Sequence, residues 1–168
     1  MSDIFERAIE HWKSSGAEVR PPARESDIED TFAALDFPLT EDVRILYSLA
    51  DGFDDIAEIS CLWWWPLERV FEENQHPQRD RRYLWFADHL ICSSVYCFGT
   101  SDGRTSPVWT DEEHPWRGHR NIEPVGLWNR ILGRVRDGPP SDDLQDTPRF
   151  ERRTETVATF IEKLLQSP

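Results

Sequence analysis

Cysteine is scarce in this chain, three in 168 residues, and an odd number cannot all pair with one another. Cys61, Cys92 and Cys97 stand in apolar surroundings, which points to buried free thiols in a reducing compartment rather than to a disulfide framework. No apolar run approaches the roughly 18 residues of a membrane span. The acidic, amphipathic start "MSDIFERAIEHW" is also unlike a basic-then-apolar signal peptide, so the expected location is cytoplasmic. Signatures of chemistry are missing as well: there is no HExxH, no Cys-x-x-Cys pair, no glycine-rich phosphate loop, and no GxSxG elbow around Ser93, Ser94, Ser101 or Ser106. Basic residues are short too. Nineteen Lys and Arg face 32 Asp and Glu, a net charge of -13, which repels nucleic acid and membrane surfaces and speeds encounter with basic proteins.

What is present suits one domain. A chain of 168 residues hides about 70% of its unfolded surface, and 38% hydrophobic with 30% charged residues is a globular balance. The charge is uneven. Residues 1 to 74 hold 18 acids and 6 bases, whereas residues 117 to 153 hold 6 acids and 8 arginines. The front half is an acid pole.

Periodicity places three helices first. Ile4, Phe5, Ala8, Ile9 and Trp12 form one helical stripe over about 3 to 14, ended by Gly16. After "RPPAR", Ser26 and Glu29 have the spacing of a capping box for a second helix, with Ile28, Phe32 and Leu35 inward and a stop before Pro38. Thr40 can cap a third, in which Val43, Leu46, Tyr47 and Ala50 share a face before "DG" at 51 and 52. The rhythm then changes. "IAEISCLWWW" reads as a strand, Pro66 opens a helix over 66 to 74 with Leu67, Val70 and Phe71 inward, and residues 82 to 88, 94 to 100 and 106 to 111 read as three more strands. Asp102 and Gly103 form a turn between the last two, and these strands make an antiparallel meander. Beyond it, "NIEPVGL" reads as one more strand, "WNRILGRVRDG" as a short helix or an excursion, and residues 137 to 148 as a mobile surface loop. "TETVATFIEKLLQ" closes the chain as a helix with Val157, Phe160, Ile161 and Leu164 inward. The expected class is α+β, helices packed on one mainly antiparallel sheet.

Two clusters invite a chemical reading. "DEEHPWRGH" gathers Asp111, Glu112, Glu113, His114 and His119, donors of the kind that hold a divalent metal, but its central proline makes it a solvated turn. Asp88 and His89 are neighbours in a strand and point to opposite faces, so they form no dyad. No catalytic residue, metal or cofactor is expected.

The order of these pieces resembles the SUKH superfamily, which includes fungal cell-wall assembly regulators and bacterial immunity proteins. "FPLTEDVRILYSLADGF" is similar to the family's Leu-Pro, helix, Asn-Gly segment, and "LWWWPLERVFEEN" to its Leu-x-x-Trp-x-Leu pattern ending near an Asn. "YLWFAD", "VYCF" and the closing "TVATFIEKLL" also match, so the likeness covers about residues 27 to 110 and 154 to 166. Phe37 stands where leucine is usual and Asp51 where asparagine is usual, and residues 111 to 153 look like an insertion into a single domain spanning 1 to 168. The resemblance implies a structural framework of Pro38, Gly52, Trp65, Leu67, Phe86, Asp88 and Phe160.

In a strand, Trp63 and Trp65 point to one face and Leu62 and Trp64 to the other. With Trp65 given to the framework, Trp64 either packs under another element or lies open as an aromatic anchor. The resemblance implies a non-catalytic immunity protein that blocks a bacterial toxin domain, commonly a nuclease. A surface bearing Asp54, Asp55, Glu58, Glu72 and Glu73, with Trp64 as anchor, would match a basic cleft on such a partner. Two alternatives stand beside it: a regulatory scaffold of the fungal type with several weak partners, and a small hydrolase whose mark would be a deep pocket with converging carboxylate and imidazole groups.

Overall fold

The computed structural model describes residues 2–54, 62–75, 80–89, 94–101, 104–111, 150–154 and 156–166. Helices α1 (Ser2–Ser14), α2 (Glu25–Ala34) and α3 (Glu41–Leu49) come first. Strand β1 (Leu62–Trp64) and helix α4 (Leu67–Glu73) follow. Strands β2 (Tyr83–His89), β3 (Ser94–Gly99), β4 (Val108–Asp111) and β5 (Phe150–Thr154) precede helix α5 (Val157–Gln166). The five strands pair antiparallel in chain order, so this is an α+β fold around a meander.

Register assigns the faces. Trp64 pairs with Ala87, Ala87 with Tyr96 and Tyr96 with Thr110, one layer of the sheet. On that face Phe160 of α5 meets Tyr96 at 4.7 Å and Phe86 at 6.2 Å between ring centroids, and Trp64 sits among Trp12 of α1, Tyr47 of α3 and Phe53. Trp63, Asp88 and Val95 share the other face. There Arg69 of α4 lies 3.8 Å over the Trp63 ring.

Three sequence expectations on helix starts are corrected. Ser26 and Glu29 form no capping box: α2 begins at Glu25, and Arg24 is its N-cap in extended conformation with no side-chain cap. The Ala23 amide donates to the Tyr47 carbonyl, which anchors the chain just before α2, and the helix starts two residues earlier than a Ser26 cap would place it. Thr40 does occupy the N-cap of α3, but its hydroxyl donates to Asp42 and accepts from no backbone amide of the helix. Pro66 is likewise the N-cap of α4 and not its first helical residue.

Strand β5 was not legible in the sequence, because "FERRT" lacks the alternation of a half-buried strand; it forms by pairing with β4 and shortens the closing helix to 157–166. Cys97 is buried, as expected. Cys61, Cys92, the 56–61 part of the first expected strand, Asp102 with Gly103, and nearly all of the insertion, including "NIEPVGL", "WNRILGRVRDG" and 137–148, lie outside the described residues. Among the described residues no helix is long and apolar enough to cross a membrane.

One buried carboxylate ties distant segments together. Asp42 accepts from Thr40 Oγ1 at 2.6 Å, from its neighbour Val43 N at 2.9 Å, from Ser106 N at 3.0 and 3.1 Å, and from Val157 N at 3.4 Å. Since the single Thr40 hydroxyl proton goes to Asp42, Ser106 Oγ donates to Thr40 across their 2.9 Å contact. The first turn of α3, the residues before β4 and the first amide of α5 thus converge on one anion, where helix N-termini favour negative charge.

Replacing Asp42 by Ala should lower stability by about 3 kcal/mol, because it orphans several buried donors at once; equilibrium urea unfolding gives the value. Gly52→Ala should cost at least about 2 kcal/mol. Gly52 has φ +77°, and an added Cβ would lie 2.7 Å from backbone atoms of Trp64, Trp65 and Pro66. Thermal unfolding of that variant checks it.

Candidate protein-binding surface

Gly52 makes the corner that positions the site. Its positive φ turns the chain after α3 so that 51–54 runs antiparallel to 18–21: Arg20 N donates to Gly52 O, Asp51 N to Pro21 O and Asp54 N to Glu18 O. Phe53 N in turn donates to Trp64 O at 2.8 Å, so two extended segments cover the outer edge of β1. The chain beyond β1 is held differently. Trp65 N donates to Phe86 O, and the Asn74 side chain accepts from Trp85 N at 3.0 Å and donates to Trp85 O at 2.8 Å. Asn74 stands in for a strand that β1 is too short to supply.

Asp51 binds this corner to α4. Its Oδ1 accepts the Leu67 amide at 2.8 Å, capping from a distance a helix whose own N-cap is a proline. Arg20 spans Asp51 at 3.5 Å and Asp54 at 3.6 Å. With only 17% of its side chain exposed, Asp51 is pushed above its ordinary value by burial first, opposed by the Leu67 amide and Arg20 and reinforced by the charges of Asp27 and Glu68. A shallow cleft of about 380 Å³ opens here, with Pro21, Pro22 and Leu67 as apolar lining and Asp51, Asp27 and Glu68 as acids.

The expected partner-binding residues divide. Asp54 is exposed, 57% of its side chain, and Glu72 is exposed on α4. Asp55 and Glu58 lie outside the described residues. Glu73 is 18% exposed and pairs with Arg69 at 3.6 Å; burial, ahead of the opposing Arg69 charge and the reinforcing Glu72 and Asp88 charges, raises its carboxyl above the usual range. Trp64 is corrected outright. It is 2% exposed beneath α1 and α3 and offers no anchor to a partner, because the helices that the sequence places first cover that face.

The framework residues are placed as follows. Trp65 is buried and its indole donates to Asp88 Oδ2 at 2.8 Å, which gives the buried Asp88 carboxylate a partner on the Trp63 face. Arg69 is 4.8 Å over the Trp65 ring and 4.0 Å from Asp88. Leu67, Phe86 and Phe160 are buried, and Phe86 stacks on Phe98 at 3.8 Å. Gly52 is buried at the corner, while Pro38 is exposed between α2 and α3. Sequence reasoning missed Asp42, Asn74, Arg20 and Arg69. Asp42 carried a signal as an acid in the first turn of a helix, and Asn74 as the Asn that closes "LWWWPLERVFEEN".

Among the described residues, no group of three or more His, Cys, Asp or Glu is arranged to hold a metal ion. No protein-family model matches the chain, and no curated protein matches it in sequence.

A carboxyl whose folded-state pKa is raised holds its proton more firmly in the folded chain than in the unfolded one. The stability it adds is therefore present below the ordinary carboxylate values of 3.8 for Asp51 and 4.5 for Glu73, and is lost as pH rises through their raised values. Relative to the parent, an Asp51→Asn, Glu73→Gln variant should gain stability as pH rises through that window. Urea midpoints of both proteins, measured side by side from acid to neutral pH, check the sign.

Proposed function

We propose that this chain is a SUKH-like immunity protein, a non-catalytic binding module that sits on a bacterial toxin domain in the cytoplasm and blocks its active site. The single observation that carries the reading is the acidic corner. Exposed Glu18 adjoins Asp54 through a backbone hydrogen bond, Glu68 lines the cleft beside Asp51, and Glu72 follows one turn along α4. These groups lie on a corner pinned by Gly52, Asp51 and the α4 cap, so they meet a partner with little ordering cost. The partner that such a surface favours is basic, as the substrate cleft of a nuclease must be. Occlusion needs no turnover: a carboxylate surface seated in that cleft occupies the phosphate sites and excludes the substrate.

The test is capture followed by rescue. The tagged protein, exposed to its native lysate, should retain a basic protein in stoichiometric amount that high salt releases. That protein should arrest growth when expressed alone and lose its effect when this chain is co-expressed. A captured protein that is harmless alone, or toxicity that co-expression does not relieve, would overturn the proposal. A Glu68→Lys, Glu72→Lys variant should associate on the order of tenfold more slowly at low salt and converge with the parent at about 0.5 M salt, where charges are screened within a few ångströms. Stopped-flow association rates show it.

A further inference from the structure

We propose that the cleft at the start of α4 is a receptor for one arginine side chain of a basic partner protein, an inference that rests on the binding reading above and gives it a point of specificity. The cavity of about 380 Å³ has the two parts that an arginine needs. Pro21, Pro22 and Leu67 supply an apolar lining for the aliphatic stem, and Asp51 and Glu68 supply carboxylates for the guanidinium.

The charges around the cleft do not close among themselves. Arg24 is held by both oxygens of Asp27 at 2.8 and 3.1 Å, and Arg20 is divided between Asp51 and Asp54. Four acids, Asp27, Asp51, Asp54 and Glu68, thus share two arginines. Burial is the first cause of the rise at Asp51; against the opposing Leu67 amide and Arg20, the charges of Asp27 and Glu68 add a smaller push of their own, in keeping with that surplus. One further cation removes part of it, and a planar guanidinium can engage two carboxylates at once where an ammonium acts as a point charge. The receptor is preformed, since Asp51 is fixed by the Leu67 amide and the proline backbone is fixed by the Asp51 amide.

The probe is N-acetyl-arginine amide, titrated into the whole protein and followed by amide chemical shifts. Saturable shifts at Arg20, Asp51, Leu67 and Glu68 are expected, with N-acetyl-lysine amide weaker and the uncharged citrulline analogue without effect. Glu68→Gln, at an exposed position, and Asp51→Asn, which keeps an oxygen for Leu67, should each weaken the arginine probe at least about threefold. Shifts that do not saturate, that spread over all acidic residues, or that survive both substitutions overturn the receptor. The two proposals fail separately. Saturable arginine binding at the cleft supports the receptor even where no toxin is captured, and a captured toxin whose affinity is unchanged in both variants overturns the receptor while leaving the immunity reading intact.

Discussion

The fold depends on a carboxylate that has no business being buried unless donors surround it. Asp42 satisfies that condition with amides and a hydroxyl drawn from three places far apart in the chain: the start of α3, the residues before β4 and the start of α5. A buried anion without donors is strongly unfavourable, so these segments have one mutual arrangement that satisfies it and many that do not. Apolar burial drives the helices onto the sheet without direction. The Asp42 node supplies the direction, because hydrogen bonds fix distance and angle where hydrophobic contact does not.

A second constraint acts at the other end of the sheet. Strand β1 is three residues long, and the polar backbone around it is satisfied by unlike means: the 51–54 segment on one side, the Trp65 amide and the Asn74 side chain on the other. The three tryptophans are consequences of that geometry. Trp64 faces the helices and fills the core between α1 and α3, whereas Trp63 and Trp65 face away, where Arg69 stacks over both and Asp88 accepts a hydrogen bond from the Trp65 indole. A run that looks like a single aromatic surface in the sequence is divided between two sides of a sheet.

The same corner brings the acids together. Gly52 permits the turn, Asp51 joins it to α4, and the exposed carboxylates of Glu18, Asp54, Glu68 and Glu72 follow from where those elements stop. Buried and exposed carboxylates are thus adjacent residues of like charge. Asp51 and Glu73 are held largely out of water and serve the frame, and their more exposed neighbours give the surface its field.

Periodicity and composition made much of this readable. The inward stripes of α1, α3 and α5, the meander, the alternation of the tryptophans and the acid pole all follow from local spacing, which depends only on helix and strand geometry. The Ser26 cap, strand β5 and the fate of Trp64 did not, because each was decided by a partner remote in sequence: the Tyr47 carbonyl fixes the chain before α2, β4 recruits 150–154, and α1 and α3 cover the tryptophan. The sequence by itself determined the class of fold, the sign of the surface and which residues are apolar enough to be inside. Tertiary structure alone decided which carboxylates are buried as ties and which remain in water, since that depends on where donors from other segments arrive and no local pattern encodes it.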